Sequence, residues 1–177
     1  MKRGIVLTQW AALAALLFPF VALGDACRDA VALLKRLEGF RSSPYTCQAG
    51  ELAIGYGFTD AELIARGHMT QAEADRELNR KCYRLVQKVR MDLKGRRITD
   101  TQMAAIVSFA YNVGWGNYIT SKIHSMVVRG DSPSAVGEEI RKWVFVCRDG
   151  RKVKSRGLQK RRISEAVMFA KQTPRKK

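Results

Sequence analysis

Histidine and acidic residues are scarce in this chain. It contains two histidines, His68 and His124, and 16 acidic residues against 32 lysines and arginines. The histidines stand far apart without a serine and aspartate framework, which excludes a Ser-His-Asp triad and a histidine-based metal site. The four cysteines match no zinc spacing, and residues 55–57 lack the pattern of a phosphate-binding loop. The sequence therefore predicts no metal and no cofactor.

The composition is that of one folded domain with a strong basic excess. Hydrophobic residues make up 46% and charged residues 27% of the 177 positions, which is typical of a globular protein. The net charge is +16. Such an excess favours polyanionic partners, namely nucleic acid, anionic lipid headgroups or an acidic cell-wall polymer.

The N-terminal segment helps to choose among these polyanionic partners. A basic start at residues 1–4 precedes a nearly continuous apolar run over residues 5–23, and the small residues Ala22 and Gly24 follow the pattern read by signal peptidase. The segment 1–24 is therefore predicted to be a secretory signal cleaved before Asp25. The alternative is a retained membrane anchor formed by residues 5–23. Export to the periplasm or cell exterior disfavours a nucleic-acid partner.

Hydrophobic periodicity and turn residues outline the secondary structure. A helix from Asp25 is predicted to end before Gly39, and short antiparallel strands are predicted over residues 40–59. Capping boxes at Thr70 and Thr99 each predict a helix, the first of them long. The remaining predictions are a turn-rich break at 112–117, helices at 119–128, from Pro133 and at 157–171, a basic loop at 148–156, and a basic tail at 173–177.

A carboxyl group and a thiol stand nine positions apart near the start of this domain. Glu38 closes the first predicted helix, and Cys47 follows on a glycine-rich, strand-like segment. Hydrolysis of a glycosidic bond requires an acid for the leaving oxygen and a second group for the water or the cation. Glu38 can be the acid, whereas Cys47 occupies a position at which a carboxylate would be the ordinary choice. The alternative for Glu38 is an exposed glutamate at a helix end.

Three stretches of the chain resemble the phage-type lysozymes, the endolysins related to the enzyme of T-even phages. They lie at residues 38–57, at residues 108–117, and at Trp143 with residues 157–165. The resemblance covers about residues 28–172 and implies an α+β, mostly helical fold with two lobes. These are a small antiparallel β-sheet lobe and a helical C-terminal lobe, joined by a long helix. It also implies a muramidase, which cleaves the β-1,4 bond between N-acetylmuramic acid and N-acetylglucosamine.

The family pattern is Glu, then Asp or Cys nine positions on, then Thr six further. Glu38 and Cys47 fit it, with Cys47 able to act as the second group only as a thiolate. Ala53 stands where the family has the Thr that holds the attacking water, and Phe58 stands where a His is common. Glu51 shares a strand face with Ala53 and is a candidate to position the water instead. Its alternative is an exposed turn glutamate.

The resemblance assigns further residues to the site. Tyr45, Tyr56, Asn112 and Trp143 are expected at the substrate cleft. Arg161 or Arg162 is expected to pair with Glu38, although two adjacent arginines are ordinarily a solvated helix face.

The resemblance also suggests how the cysteines pair. In the family fold Cys27 would lie near the long helix that carries Cys82, and Cys47 and Cys147 would lie on opposite lips of the cleft. It therefore suggests a structural Cys27–Cys82 disulfide and a Cys47–Cys147 disulfide that keeps the enzyme latent until reduced. The residues alone allow three pairings, and a free Cys47 is the alternative.

The predicted protein is thus an exported, monomeric peptidoglycan hydrolase. Residues 1–24 form the signal or anchor, residues 25–172 the lysozyme domain, and residues 173–177 the tail. The basic surface is expected to hold the enzyme on the anionic wall or membrane. The alternatives are a non-catalytic peptidoglycan-binding protein with a degenerate site and a cationic membrane-active protein.

Overall fold

A computed structural model describes residues 24–47, 50–148 and 150–171. Most of these residues are helical, and the strands form two short antiparallel hairpins. The helices are α1 (Asp25–Glu38), α2 (Ala61–Ala65), α3 (Gln71–Asp92), α4 (Asp100–Val113), α5 (Trp115–Ile119), α6 (Lys122–Arg129), α7 (Pro133–Arg141) and α8 (Arg156–Ala170). The strands are β1 (Arg41–Thr46), β2 (Leu52–Gly55), β3 (Phe145–Arg148) and β4 (Arg151–Lys154).

The first helix ends where the sequence predicts. Val31 and Leu34 recur at helical spacing and are buried, while the Gly39 N–H donates to the carbonyl of Lys35 at 3.2 Å and closes the last turn. Glu38 is therefore the final residue of α1. This end of α1 meets the first hairpin, in which Tyr45 pairs with Ala53 and Thr46 with Leu52. The predicted antiparallel strands are confirmed.

Both capping boxes form. The Thr70 hydroxyl accepts a hydrogen bond from the Glu73 N–H at 3.3 Å, and the Glu73 carboxylate accepts one from the Thr70 N–H at 2.8 Å. Thr99 makes the same reciprocal pair with Gln102 and opens α4. The predicted long helix is therefore confirmed as α3, which connects the hairpin region to the helices that follow.

Helix α4 is the centre of the core. Every residue from Met103 to Ala110 is buried, as expected of a helix surrounded by others. Helices α1, α3 and α8 pack against it, and α7 packs on α8. This arrangement brings the start of α8 and the end of α1 to the same face of α4.

Two local predictions are wrong. The basic stretch 148–156 is not a loop, because it contains β4, which pairs with β3, and the first residue of α8. Gly150 takes a φ of 73° in the turn, a conformation that favours glycine. The Asp-Gly pair at 149–150, between segments rich in aromatic and β-branched residues, is a hairpin signal that the surrounding cations obscured.

The break predicted at 112–117 is only partly a break. Gly114 separates α4 from the short helix α5, which occupies the rest of that stretch. The next helix starts at Lys122 because the Ser121 hydroxyl accepts a hydrogen bond from the His124 N–H at 3.1 Å. Helix α7 begins with Pro133 at its first position, as predicted.

The expected signal or anchor falls outside the described residues except for Gly24, and so does the tail at 173–177. Within the part of the chain that is described, no helix has the length and apolar character needed to cross a membrane.

Candidate active site

Glu38 lies at the junction of the first hairpin and the helical core. Its side chain is 20% exposed, and its Oε1 lies 2.5 Å from Nη1 of Arg161 on α8. The other oxygen faces the backbone of Gly57, where an added Cβ would come within 3.4 Å of Oε2. Glycine at this position therefore lets the chain approach the carboxylate closely. One carboxylate oxygen is thus bound by a cation and the other lies beside the hairpin region.

Arg161 is held by a buried polar network. Its Nε donates to Oε1 of Glu165 at 3.0 Å, and its Nη2 donates to the carbonyl of Ser108 at 3.0 Å. The Ser108 hydroxyl also donates to Glu165 at 2.7 Å. Glu165 is 0% exposed and Arg161 5% exposed, so this cluster is shielded from water. Its bonds fix the guanidinium that contacts Glu38.

Arg162 completes the network on the other side of Glu165. Its Nη1 donates to Oε2 of Glu165 at 2.6 Å, and its Nε donates to the carbonyl of Trp143 at 2.9 Å. Its Nη2 donates to Oδ1 of Asn112 at 2.5 Å. Burial lowers the pKa of this guanidinium, and the charge of Glu165 works in the opposite direction. The structure thus places Arg161, rather than Arg162, beside Glu38, and neither arginine belongs to a solvated helix face.

The Tyr45 hydroxyl and Glu38 both approach Gly57, where an added Cβ would lie 3.9 Å from the Tyr45 oxygen and 3.4 Å from Oε2 of Glu38. Burial raises the pKa of the Tyr45 phenol, the charge of Glu38 raises it further, and Arg41 lowers it. The Arg41 guanidinium stacks 4.9 Å from the centre of the Tyr45 ring. Cys47 follows β1 directly and is half-buried. Strand β1, which carries Tyr45, therefore connects the helix that ends at Glu38 to Cys47.

The residues that depart from the family pattern are buried. Ala53 is 1% exposed and lies opposite Tyr45 in the hairpin, and Phe58 is 1% exposed and bridges to Ile54. Glu51 is exposed, and its carbonyl accepts a hydrogen bond from the Cys47 N–H at 2.8 Å. A role for the Glu51 carboxylate in positioning water stays a prediction.

Tyr56 lies in the core instead of lining an open cleft. It is 2% exposed, and its hydroxyl donates to Oδ1 of Asp75 on α3 at 2.9 Å. Its carbonyl accepts a hydrogen bond from the Tyr111 hydroxyl at 3.0 Å. Burial raises the pKa of Tyr111, followed in effect by the charge of Glu38, so this phenol remains a neutral donor. These two hydrogen bonds therefore hold the segment after β2 against α3 and α4.

Of the other residues expected at the cleft, Asn112 is exposed and Trp143 is half-buried. The Trp143 ring packs edge-on against Phe109, with ring centres 5.2 Å apart. Tyr45, Asn112 and Trp143 thus surround Glu38 and its arginine network. The expected contact of these three side chains with a sugar stays a prediction.

The four cysteines are free thiols in the structure. Cys27 and Cys82 are both buried, and the pKa of Cys82 is raised by burial and then by the neighbouring Cys27. Cys147 is exposed on β3. The suggested pairings of Cys27 with Cys82 and of Cys47 with Cys147 stay predictions. Across the described residues, no cluster of His, Cys, Asp or Glu side chains could hold a metal ion.

The sequence did not reveal that Ser108 and Glu165 hold the arginines. A signal for Glu165 was present, since it stands three and four residues after the two arginines and a helix places such residues on one face. No comparable signal marked Ser108, which joins the network across 57 residues of chain.

The chain matches known proteins over most of its length. The family profile described as phage lysozyme matches residues 35–165. The SAR-endolysin of Bacteriophage PS119 is 32% identical over 109 residues, 62% of this chain and 64% of that protein. The endolysin of Acyrthosiphon pisum secondary endosymbiont phage 1 is 31% identical over 137 residues, 77% of this chain and 92% of that protein. The solved muramidase domain of SpmX from Asticaccaulis excentricus has a TM-score of 0.72 and 27% identity, covering 82% of this chain and 97% of that one.

These matches agree with the architecture. The profile runs from the end of α1 to Glu165, and so includes Glu38, Cys47 and both arginines. The expected lysozyme-like, mostly helical α+β fold is confirmed. The match to the phage PS119 protein spans just under two thirds of that relative. The chain belongs to the phage lysozyme family and is, by that membership, a hydrolase of peptidoglycan.

Proposed function

We propose that this chain is an exported muramidase that uses Glu38 as its general acid. The bond cleaved is the β-1,4 linkage between N-acetylmuramic acid and N-acetylglucosamine. The observation that carries the proposal is the placement of Glu38, a partly exposed carboxyl group held at one oxygen by a buried arginine. An acid in glycoside hydrolysis must be fixed in position and still reach the leaving oxygen.

The two oxygens of Glu38 have different tasks in this proposal. Oε1 accepts from Arg161, so the transferable proton is carried by Oε2, the oxygen beside Gly57. Arg161 also pairs with Glu165, so its positive charge is shared between two carboxylates.

Cys47 supplies the second group. As a thiolate it orients a water molecule on the far face of the sugar, which is the inverting geometry. In this proposal Tyr45, on the strand that connects Glu38 to Cys47, lines the space between the two groups. Glu51, whose carbonyl accepts a hydrogen bond from the Cys47 N–H, is the proposed alternative for holding the water.

Export and surface charge fit a wall-degrading enzyme. Relatives named SAR-endolysins support passage across the inner membrane, with residues 1–24 as the signal or anchor. The net charge of +16 favours binding to the anionic wall or to a membrane surface. In this proposal the enzyme acts as a monomer and binds no nucleic acid.

Clearing of purified peptidoglycan by residues 25–177 tests the proposal. The wild-type protein and Glu62→Gln are expected to clear the suspension and release new reducing ends. Glu38→Gln is expected to bind the wall but to lose activity by about 100-fold or more. Glu62 is a matched control because it is an exposed glutamate on α2. Clearing by Glu38→Gln would refute the proposed acid, and wall binding without turnover by the wild type would indicate a binding protein.

A further inference from the structure

The second hairpin, formed by β3 and β4, projects from the helical body. Its base is closed by the Ser155 N–H, which donates to the carbonyl of Val144 at 2.8 Å. The two strands pair chiefly with each other, and every residue of β4 is exposed. Phe145 and Val153 are 49% and 43% exposed and lie on opposite faces of the ribbon, so each face presents an exposed apolar side chain.

The described side chains of this hairpin are basic as well as apolar. Arg151, Lys152 and Lys154 are exposed, and the Lys154 ammonium lies 5.9 Å from the centre of the Phe145 ring. In the sequence of residues 145–154, the formal charges of Arg148 and Asp149 cancel. The hairpin therefore carries a net charge of about three positive units and suits a partner rich in carboxylates.

The root of the hairpin is tied to the active site. Trp143, two residues before β3, accepts a hydrogen bond from Arg162 at 2.9 Å. Arg162 binds Glu165, which in turn binds the Arg161 guanidinium that contacts Glu38. A continuous hydrogen-bonded network therefore connects Glu38 to the residue that precedes the hairpin.

The cations lie on both faces of the ribbon. The register pairs Phe145 with Lys154 and Cys147 with Lys152, so Lys152 and Lys154 share the face of Phe145. Arg151 and Val153 lie on the opposite face. A flat bilayer would favour cations and apolar groups gathered on one face. Cations on both faces instead suit a branched polymer with charged side chains.

We propose that this hairpin binds the acidic peptides attached to the glycan substrate. The inference rests on the proposed muramidase function and assigns to it a substrate-binding element. The peptide carboxylates would pair with Arg151, Lys152 and Lys154, while the exposed Phe145 packs against apolar parts of the same peptide. The hairpin would then strengthen binding of peptide-bearing strands without taking part in the chemical step.

The test uses two soluble substrates, glycan strands that keep their peptides and the same strands stripped of peptides by an amidase. For the wild type, KM is expected to be about fivefold lower on the peptide-bearing strands, the effect of three exposed ion pairs. The triple variant Arg151→Gln/Lys152→Gln/Lys154→Gln is expected to lose this difference with kcat unchanged. The matched control is Arg66→Gln/Arg76→Gln/Arg84→Gln, which removes three exposed cations at the end of α2 and along α3. It is expected to behave as the wild type.

Three results would overturn the inference. Equal KM values of the wild type for both substrates would do so without any variant, and so independently of folding. Equal losses of the KM difference in the two triple variants would indicate that the total charge of the protein, and not the hairpin, favours the peptide-bearing strands. Loss of binding to vesicles containing anionic phospholipid in the hairpin variant, with KM unchanged, would indicate a membrane site. Absence of turnover on both glycan substrates would count against the muramidase function. The proposed role of the hairpin would then be tested by comparing the affinity of the protein for peptide-bearing and for stripped glycan strands.

Discussion

Arg161 joins Glu38 to Glu165, two carboxylates separated by most of the chain. Its Nη1 lies 2.5 Å from Oε1 of Glu38, and its Nε lies 3.0 Å from Oε1 of Glu165. The planar fork of a guanidinium can satisfy both at once, whereas an ammonium group cannot do so with the same geometry. The orientation of the proposed acid thus depends on a buried contact on another helix.

Replacing Arg161 with lysine is expected to lower kcat by about 10- to 100-fold, because Glu38 is no longer held in one orientation. The measurement is kcat on soluble glycan strands, normalised to the folded fraction from urea unfolding. A purely structural role would reduce stability but leave kcat per folded molecule unchanged. Arg156→Lys is the control, since Arg156 opens the same helix and is exposed.

Replacing Glu165 with glutamine is expected to reduce the free energy of unfolding by about 3 kcal/mol. The substitution leaves two buried guanidinium groups without their shared carboxylate, and an unpaired buried charge is costly. Urea denaturation provides the measurement. Glu138→Gln removes a glutamate whose side chain is 69% exposed and is expected to change stability by less than about 0.5 kcal/mol. Equal effects of the two substitutions would contradict the role assigned to Glu165.

Introducing threonine at Ala53 is expected to raise kcat by about tenfold, since it restores the hydroxyl that holds water in the family pattern. Ala53 is 1% exposed, so a larger side chain also costs stability, by about 1–3 kcal/mol. Ala53→Val has the same shape without the hydroxyl and serves as the control. The reading is wrong if valine and threonine change kcat equally.

Replacing Cys47 with aspartate is expected to preserve or raise kcat, whereas Cys47→Ala is expected to lower it by about 100-fold. A carboxylate is fully charged at neutral pH and can orient water in the same place. Turnover of soluble strands in the presence of reductant is the measurement, and Cys147→Ala is the control because that cysteine is exposed on β3. Undiminished turnover by Cys47→Ala would remove Cys47 from the mechanism and direct attention to Glu51.

The same assay, with and without reductant, decides whether Cys47 and Cys147 form a latent disulfide. If they do, reductant activates the exported protein, and Cys147→Ser makes activity independent of it. Equal activity in both conditions, with two reactive thiols by alkylation of the native protein, would show that Cys47 is free.

Helix boundaries could be predicted because their signals are local. The reciprocal hydrogen bonds of Thr70 and Thr99 involve residues three positions away, and the burial of Val31 and Leu34 follows from spacing within one helix. The hairpin formed by β3 and β4 was not predicted because its local sequence signal is weak. Every residue of β4 is exposed, so this strand lacks the alternation of apolar and polar residues that marks a strand with one buried face.

The surroundings of the Tyr56 side chain could not be predicted from the resemblance. The sequence places it beside the proposed site, but whether its ring faces a ligand or the core depends on its neighbours. The Tyr56 hydroxyl donates to Asp75 on α3, 19 residues away, and the Tyr56 carbonyl accepts from Tyr111 on α4, 55 residues away. Contacts of that separation leave no local pattern.

The sequence alone predicts the family, the helix that ends at Glu38 and the spacing of Glu38 and Cys47, because each is encoded in residues close together along the chain. The choice of the arginine that contacts Glu38, and the burial of both arginines, depend on tertiary packing. Helix α8 meets α1 across α4, and this packing selects Arg161 for the acid and Arg162 for Trp143. Adjacent residues on a helix differ by about 100° in direction, so their roles are set by the surfaces that the fold brings to each side.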